Sequence, residues 1–173
     1  MEQSVAVYQD ERFRISAIHE EELSQALEVY SQCEDFLALG PEPKASEKMV
    51  RADFEHSKEE NGLYCGVFAV NESIVGIVDF IPHSFSGSSE NAFITLVMIA
   101  GPYRNKGLGT KIVKAVEKFI ANYPQNRAIL SAVQTNNGKA VKFWTTLGYR
   151  IVGEPESRPD NTVVFNLRKD LQR

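Results

Sequence analysis

One apolar run near the middle of the chain constrains the fold more than any other feature. The segment Ala92–Ile99 (AFITLVMI) is apolar almost throughout, which is typical of a central strand covered on both faces. An amphipathic helix is predicted at Gly109–Asn122, and a second buried strand at Arg127–Val133. A strand, a helix and a strand in this order predict a sheet with helices packed against it.

The remaining segments extend this pattern in both directions. They are the predicted strands Arg12–Ile18, Leu63–Val70, Ile74–Ile81, Tyr149–Glu154 and Thr162–Leu167 and the predicted helices Glu20–Cys33, Ser46–Ser57 and Lys139–Leu147. The order β-α-α-β-β-β-α-β-α-β-β predicts a single mixed α/β domain over residues 1–173, with helices on both faces of the sheet.

Composition and charge exclude several classes of protein. The chain is 43% apolar and 24% charged, an ordinary globular balance. No apolar run reaches the ~18 residues that span a membrane, and the acidic N-terminus lacks a signal peptide, so we expect a cytoplasmic protein without membrane contact. Cys33 and Cys65 are too few for a disulfide framework, and the three scattered histidines predict no metal site. The net charge of −4 argues against nucleic-acid binding.

The charge is unevenly divided along the chain. Residues 1–99 hold 6 Lys and Arg against 18 Asp and Glu, whereas residues 100–173 hold 13 against 5. This division favours two partners of opposite charge. Chance surface charge is the alternative.

The strongest local motif follows the apolar run. The loop Pro102–Thr110 (PYRNKGLGT) leads from a strand into a helix. Its two glycines permit a sharp turn, and the helix start presents N–H groups without intrahelical partners. These groups predict an anion site, to which Arg104, Lys106 and Lys111 add positive charge. Neither a Walker loop nor a dinucleotide fingerprint fits, because Ile112 stands where the latter needs its third glycine. A pyrophosphate is the predicted ligand, and a glycine turn without a ligand is the alternative.

Two motifs together resemble the GNAT family of N-acetyltransferases. The loop matches the family's R-x-x-G-x-G, and Asn137–Tyr149 (NGKAVKFWTTLGY) is similar to its N-x-x-A-x-x-F-Y-x-x-x-G-F segment. The similarity covers residues 92–152, and the rest agrees in element order. The resemblance implies a mixed, mostly antiparallel twisted sheet with splayed central strands. It also implies transfer of an acetyl group from acetyl-CoA to a small-molecule primary amine, without a metal, in a fold that commonly forms homodimers.

The resemblance places cofactor-binding residues in three groups. The backbone before the loop would pair with pantetheine as an added strand, and the loop N–H groups would hold the pyrophosphate. Asn137 would reach the pantetheine or the amine, and Phe143 and Trp144 would line the far side of the thioester channel. The implied cofactor-binding residues are Val97, Met98, Ile99, Arg104, Asn105, Lys106, Gly107, Leu108, Gly109, Thr110, Asn137, Phe143 and Trp144.

The sequence departs from the family at both acid–base positions. Trp144 stands where many relatives have the tyrosine that protonates the leaving sulfur, and indole N–H is not a useful acid at neutral pH. Phe93 stands where histone-type members carry a glutamate base. Tyr149 is an alternative acid, although the start of a strand favours packing.

The base matters more than the acid. Removing the proton from a lysine-like ammonium group of pKa ~10.4 near neutral pH costs ~4 kcal/mol of free energy. Protonating the thiolate product of pKa ~8.5 lowers the free energy by only ~2 kcal/mol. Asp79, His83 and Glu90 are the remaining candidate bases near the end of the preceding strand. A water chain or an already neutral amine is also consistent with the sequence, so the catalytic residues stay unassigned.

The acidic half of the chain indicates the acceptor. The segment Cys33–Pro43 (CEDFLALGPEP) sets Phe36, Leu37 and Leu39 beside carboxylates. The acidic residues in question are Glu20, Glu21, Glu22, Glu34 and Asp35. This combination favours a cationic amine with a hydrocarbon stem: a polyamine, an amino-acid derivative or an amino-bearing antibiotic. A protein N-terminus or lysine as acceptor, and a non-catalytic acyl-CoA sensor, are the alternatives.

Overall fold

The structure is a computed structural model that describes residues 4–172, and it contains one sheet of eight strands. The strands are β1 (Ala6–Gln9), β2 (Phe13–Ala17), β3 (Leu63–Ala69), β4 (Ile74–Ile81), β5 (Asn91–Ile99), β6 (Ala128–Gln134), β7 (Arg150–Ser157) and β8 (Val163–Asp170). The helices are α1 (Leu23–Ser31), α2 (Glu34–Leu37), α3 (Glu47–Glu59), α4 (Leu108–Ala121) and α5 (Gly138–Thr146). The strand order is β1-β2-β3-β4-β5-β6-β8-β7.

The centre of the sheet is splayed. Every neighbouring pair of strands is antiparallel except β5 and β6, which pair in parallel only from Asn91 with Ala128 to Ile94 with Ser131. The Ser131 hydroxyl donates a hydrogen bond of 2.8 Å to the Ile94 carbonyl at the last paired position. Beyond it the two strands diverge. The mixed, mostly antiparallel sheet implied by the resemblance is confirmed.

Helices cover both faces of the sheet, and each face has its own core. On one face α4 and α5 bury apolar side chains that include Ile112, Val116 and Ile129. On the other face α1 and α3 cover the half of the sheet that contains β3, β4 and β5, where Tyr30 and Ile77 are almost inaccessible. Each large side chain buried in this way contributes ~1.5–3 kcal/mol. Within residues 4–172 no helix is long and apolar enough to cross a membrane.

Two helix ends are capped in ways typical of their residue types. Ser46 accepts a hydrogen bond of 3.1 Å from the Met49 N–H at the start of α3. Gly148 follows α5 with a φ of +91°, the left-handed conformation favoured just after a helix end.

Three features differ from the predictions. β1 (Ala6–Gln9) and the single turn of α2 (Glu34–Leu37) were not predicted, because four residues are too few for a clear periodicity. The expectation that Ala92–Ile99 is covered on both faces is wrong for its second half. Thr95 is exposed, and Leu96, Val97 and Ile99 are half-buried, because β6 no longer lies beside them.

Candidate active site

The open edge of β5 is the first component of the site. The Ala100 N–H donates to the Val75 carbonyl of β4 at 2.9 Å, which fixes the alternation of this antiparallel pair. The backbone groups of Met98 therefore face β4, whereas those of Val97 and the N–H of Ile99 face the gap; the Ile99 carbonyl accepts from Arg104 Nε at 2.9 Å and from Cys33 Sγ at 3.4 Å. Val97 and the N–H of Ile99 are placed to pair with an extended ligand, whereas Met98 contributes its side chain to a cavity.

A β-bulge marks the point where β5 leaves β6. Asp79 pairs with Leu96 and Phe80 pairs with Ile94, so Thr95 is an extra residue. Such a bulge bends the strand and redirects its side chains. Asp79 therefore lies beside the opening in the sheet.

The glycine loop ends at the first turn of α4. Gly107 has a φ of +78° and Asn105 a φ of +59°, so the chain reverses sharply here. The first helical hydrogen bond runs from the Lys111 N–H to the Gly107 carbonyl at 3.2 Å, which leaves the N–H groups of residues 108–110 outside the helical ladder. A Cβ added to Gly107 would meet no atom within 4 Å. The space in front of the helix start is open, as a phosphate ligand requires.

The Arg104 side chain is bound to protein groups instead of facing that space. Its Nε donates to the Ile99 carbonyl at 2.9 Å, and its two terminal nitrogens donate to the Asp35 carboxylate at 2.8 and 3.1 Å. Lys106 also turns away, since its Nζ donates to the Pro102 carbonyl at 2.8 Å. The expectation that both side chains add charge to the phosphate site is therefore corrected: Arg104 fastens the loop to α2, and the backbone of the loop faces the open space.

We predict that Arg104→Ala acts through the shape of the loop. The side chain of Arg104 is 31% exposed and that of Asp35 is 68% exposed, so the lost ion pair should cost only about 1 kcal/mol of unfolding free energy. Affinities for CoA and for pantetheine should fall by a similar factor, because the guanidinium contacts no phosphate position. Titration calorimetry with both ligands measures this. A loss confined to CoA would instead place Arg104 on the phosphates.

The α5 residues have mainly structural partners. Asn137 caps the helix, because its side-chain oxygen accepts from the Ala140 N–H at 3.1 Å. The Phe143 ring lies 3.2 Å from where a Cβ on Gly109 would stand, so it packs against the start of α4. Trp144 is 7% exposed and packs edge-on against Phe143 and against Tyr149, which precedes β7. Trp144 lies in the core and lines neither of the two cavities described below.

Tyr149 is not placed to act as an acid. Its hydroxyl donates to the Glu117 carboxylate at 3.0 Å, and its ring packs edge-on against Trp144 at 4.9 Å. Burial and the neighbouring Glu117 raise the pKa of Tyr149 far above its ordinary value. The alternative acid suggested by the sequence thus belongs to the core.

An acidic cavity of about 490 Å³ lies on the α1 and α3 side of the opening. Four carboxylate side chains line it, from the loop after α2, from α3, from β4 and from the β7–β8 loop. They are Glu42, Asp53, Asp79 and Asp160. Of the three apolar residues predicted from the sequence, Phe36 and Leu37 form part of the apolar wall, whereas Leu39 does not line the cavity. An apolar wall with several carboxylates suits a cation with a hydrocarbon stem.

The acidic residues named from the sequence are not the ones in this cavity. Glu20 pairs with Arg51, Glu34 with Lys44 and Asp35 with Arg104, so these carboxylates already have cationic partners. The Glu22 side chain accepts from the His19 N–H at 2.8 Å. The carboxylates that line the cavity are far apart in sequence and meet only through the fold, which is why the sequence missed them.

Asp79 is the buried carboxylate of the cavity. It is 4% exposed, and the Ser57 hydroxyl donates to its Oδ1 at 2.6 Å. Burial, with a smaller contribution from Asp53, raises the pKa of Asp79 to about 7. The other two candidate bases lie elsewhere: His83 stacks on Tyr123 at 4.8 Å, and Glu90 is exposed. Of the three candidates, Asp79 alone lines the cavity.

The raised pKa of Asp79 predicts a pH-dependent stability. The folded protein binds this proton more tightly than the unfolded chain, so the stabilisation is present below the ordinary pKa of 3.8 and is lost as pH rises to about 7. Urea unfolding should show the Asp79→Asn variant gaining up to about 4 kcal/mol relative to wild type across this range, at ~1.4 kcal/mol per pKa unit. A difference between the two proteins that does not change with pH would contradict the assignment.

A second cavity, of about 820 Å³, adjoins the first and shares His56, Thr95 and Asp160 with it. Its wall includes Phe93, whose ring stacks on that of Phe85 at 4.3 Å. The position that holds a glutamate base in histone-type relatives is therefore part of an aromatic wall here. This arrangement agrees with a general base on β4, at Asp79, instead of one on β5, at the position of Phe93.

The splayed strands and the helix start behind a glycine loop are the features expected of enzymes that transfer an acyl group from a coenzyme A thioester. The sequence model of the Acetyltransferase (GNAT) family matches residues 17–149, and the chain belongs to this family. Its function is thus acetyl-CoA-dependent acetylation.

Several solved structures share this fold. An acetyltransferase from Thermus thermophilus superposes with a TM-score of 0.75 at 19% identity, over 92% of this chain and 97% of the other. A ribosomal-protein-S5-alanine acetyltransferase from Vibrio fischeri gives 0.72 at 16% identity, over 96% of both chains. A spermidine N-acetyltransferase from Vibrio cholerae, in complex with CoA and spermine, gives 0.69 at 15% identity, over 93% and 96%. At these identities the similarity shows the fold alone.

Proposed function

We propose that this protein acetylates a small cationic primary amine and that Asp79 is its general base. The observation that carries the proposal is a buried carboxylate, with its pKa raised to about 7, on the wall of an acidic cavity beside the strand opening. Perturbed carboxylates in clefts are typical of catalytic sites. The cavity supplies charge for the cation, and the carboxylate can accept its proton.

The residues around the opening fit acetyl-CoA. Val97 turns its backbone groups and Ile99 its N–H toward the gap, where pantetheine would form an added strand. The N–H groups of residues 108–110 and the open space before Gly107 suit a pyrophosphate. Bound there, acetyl-CoA supplies an acetyl thioester whose C–S bond breaks as the new C–N bond forms.

The raised pKa of Asp79 lowers the free-energy cost of taking a proton from the ammonium group of the acceptor. An ordinary aspartate lies ~6.5 pKa units below a lysine-like ammonium, which makes the proton transfer cost ~9 kcal/mol. A pKa of about 7 reduces this cost to ~5 kcal/mol. Ser57 donates to Oδ1 and fixes the orientation of the carboxylate. The thiolate product needs little assistance, since its protonation near neutral pH is worth only ~2 kcal/mol. Trp144 in place of tyrosine is therefore compatible with turnover.

The proposal is tested by acetyl-CoA binding followed by thiol release. Calorimetry should show micromolar affinity, and a panel of cationic, neutral and anionic amines, together with peptides bearing a free N-terminus or lysine, should give release chiefly with small cationic amines. Binding without release from any amine or peptide would favour a sensor. Preference for neutral or anionic amines would overturn the acceptor class, and preference for peptides would indicate a protein acetyltransferase.

A further inference from the structure

The geometry points to an acceptor with two ammonium groups, in which Asp53 binds the one that does not react. The inference rests on the proposed function, since it places the reacting amine at Asp79. Asp53 is then a specificity-determining residue. The substrate class becomes a short aliphatic diamine, or a longer molecule that contains one.

Asp53 is held in place by a buried chain of hydroxyl groups. The Tyr30 hydroxyl donates to its Oδ2 at 2.7 Å, and the Tyr64 hydroxyl donates to the Tyr30 oxygen at 2.9 Å. Both rings are nearly inaccessible, at 1% and 3% exposure. Two successive hydrogen bonds from buried groups fix the carboxylate before a ligand arrives, so little ordering is left for binding.

The carboxylates of the cavity form no ion pairs in the described part of the chain, although the charge of Arg158 acts on Asp160. Within residues 4–172 none of the ion pairs involves Glu42, Asp53, Asp79 or Asp160. His56 is the one basic side chain in the lining. Mutual repulsion contributes to the raised pKa of Asp79. A ligand with a single positive charge would pair with one of these carboxylates and leave the others without an ion-pair partner.

A side chain on β6 also lacks a hydrogen-bond donor. The Gln134 side-chain oxygen is buried and has no hydrogen-bond partner, and the residue lines the same cavity from across the opening. Buried polar atoms in native proteins nearly always have partners. Carboxylates and an unpaired amide oxygen are all acceptors, and an ammonium group offers three donors and no acceptor.

The helix α3 sets the spacing of the two charges. Ser57, whose hydroxyl donates to Asp79 at 2.6 Å, lies four residues after Asp53, so the Cβ atoms of Asp53 and Ser57 stand about 6 Å apart on the same helix face, and Asp79 lies one hydrogen bond beyond Ser57. Two ammonium groups joined by about three or four carbons are a similar distance apart, so one ligand can contact Asp53 with one group and Asp79 with the other. A monoamine of the same length would leave Asp53 without a partner in the occupied cavity.

Matched amines test the inference. With acetyl-CoA saturating, we expect wild-type kcat/KM for 1,3-diaminopropane and 1,4-diaminobutane to exceed that for propylamine and butylamine about 10- to 100-fold. The Asp53→Asn variant should reduce this ratio toward one by raising KM for the diamines, with little change in kcat. Glu55→Gln removes the same charge from an exposed position of α3 and should leave the ratio unchanged.

A second variant keeps the inference testable where Asp53→Asn fails to fold. Tyr30→Phe retains the carboxylate but removes its donor, and should reduce the same ratio to a smaller extent. Equal use of monoamines and diamines by the wild-type enzyme, or equal losses for both in Asp53→Asn, would overturn the inference and leave the proposed function intact. Release with no amine of the panel would overturn both.

Discussion

Replacing Asp79 with asparagine is expected to lower kcat by about 10²- to 10⁴-fold, the usual contribution of a general base, with little change in acetyl-CoA affinity. Asparagine has nearly the same size and can still accept the Ser57 hydrogen bond, but it cannot take a proton from the amine. Steady-state thiol release at saturating concentrations of both substrates measures the loss. In the wild-type enzyme, kcat/KM should rise with pH through an apparent pKa of about 7, because only the ionised carboxylate is a base. The variant should lack this rise.

The other two sequence candidates supply matched controls for Asp79. His83→Gln and Glu90→Gln should each keep kcat within about twofold of wild type, since neither side chain lines the acidic cavity. Full activity in Asp79→Asn, or a large loss confined to Glu90→Gln, would move the base to another group. Circular dichroism at the assay pH would separate a catalytic loss from unfolding.

Features with a local cause were predictable from the sequence. The periodic apolar face of α4, the cap at Ser46 and the left-handed glycine at Gly148 depend on neighbouring residues alone. The splay between β5 and β6 has no such local cause, because it depends on where the pairing of two distant segments stops. Only the resemblance to a known family implied it.

The acidic cavity proposed to bind the acceptor could not be predicted from the sequence. Its four carboxylates come from separate parts of the chain, and nothing in their sequence spacing indicates that they meet. One usable signal was present. Asp79 is the only charged residue in the otherwise apolar segment Ile74–Ile81, and every residue of that strand is buried. A single carboxylate in such a strand is expensive to bury without a function, which would have separated it from His83 and Glu90.

The motif that contains Arg104 was recognised correctly, but the role predicted for the Arg104 side chain was wrong. The arginine of R-x-x-G-x-G lies in the expected loop, but its donors contact Asp35 and backbone carbonyls. The charge of a side chain is visible in the sequence, whereas its partner, 69 positions away, is not. The loop backbone is left as the group that faces the open space.

Gly107→Trp should weaken acetyl-CoA binding at least about 100-fold while the protein stays folded. The new ring would occupy the open space before α4, where a Cβ meets no atom within 4 Å, and would cover the N–H groups proposed to bind the pyrophosphate. The left-handed φ of +78° adds strain of ~1–2 kcal/mol for a residue other than glycine. Titration calorimetry measures the affinity, and thermal unfolding measures the strain.

Gly153→Trp is the matched control, because it separates strain from obstruction. Gly153 lies on β7 with a φ of +71°, and a Cβ there also meets no atom within 4 Å. Both variants should lose similar stability, since the backbone strain is nearly the same. Only Gly107→Trp should lose affinity, because β7 contributes nothing to the loop. Equal affinities in the two variants would show that the pyrophosphate binds elsewhere, and the assignment of the glycine loop would then be wrong.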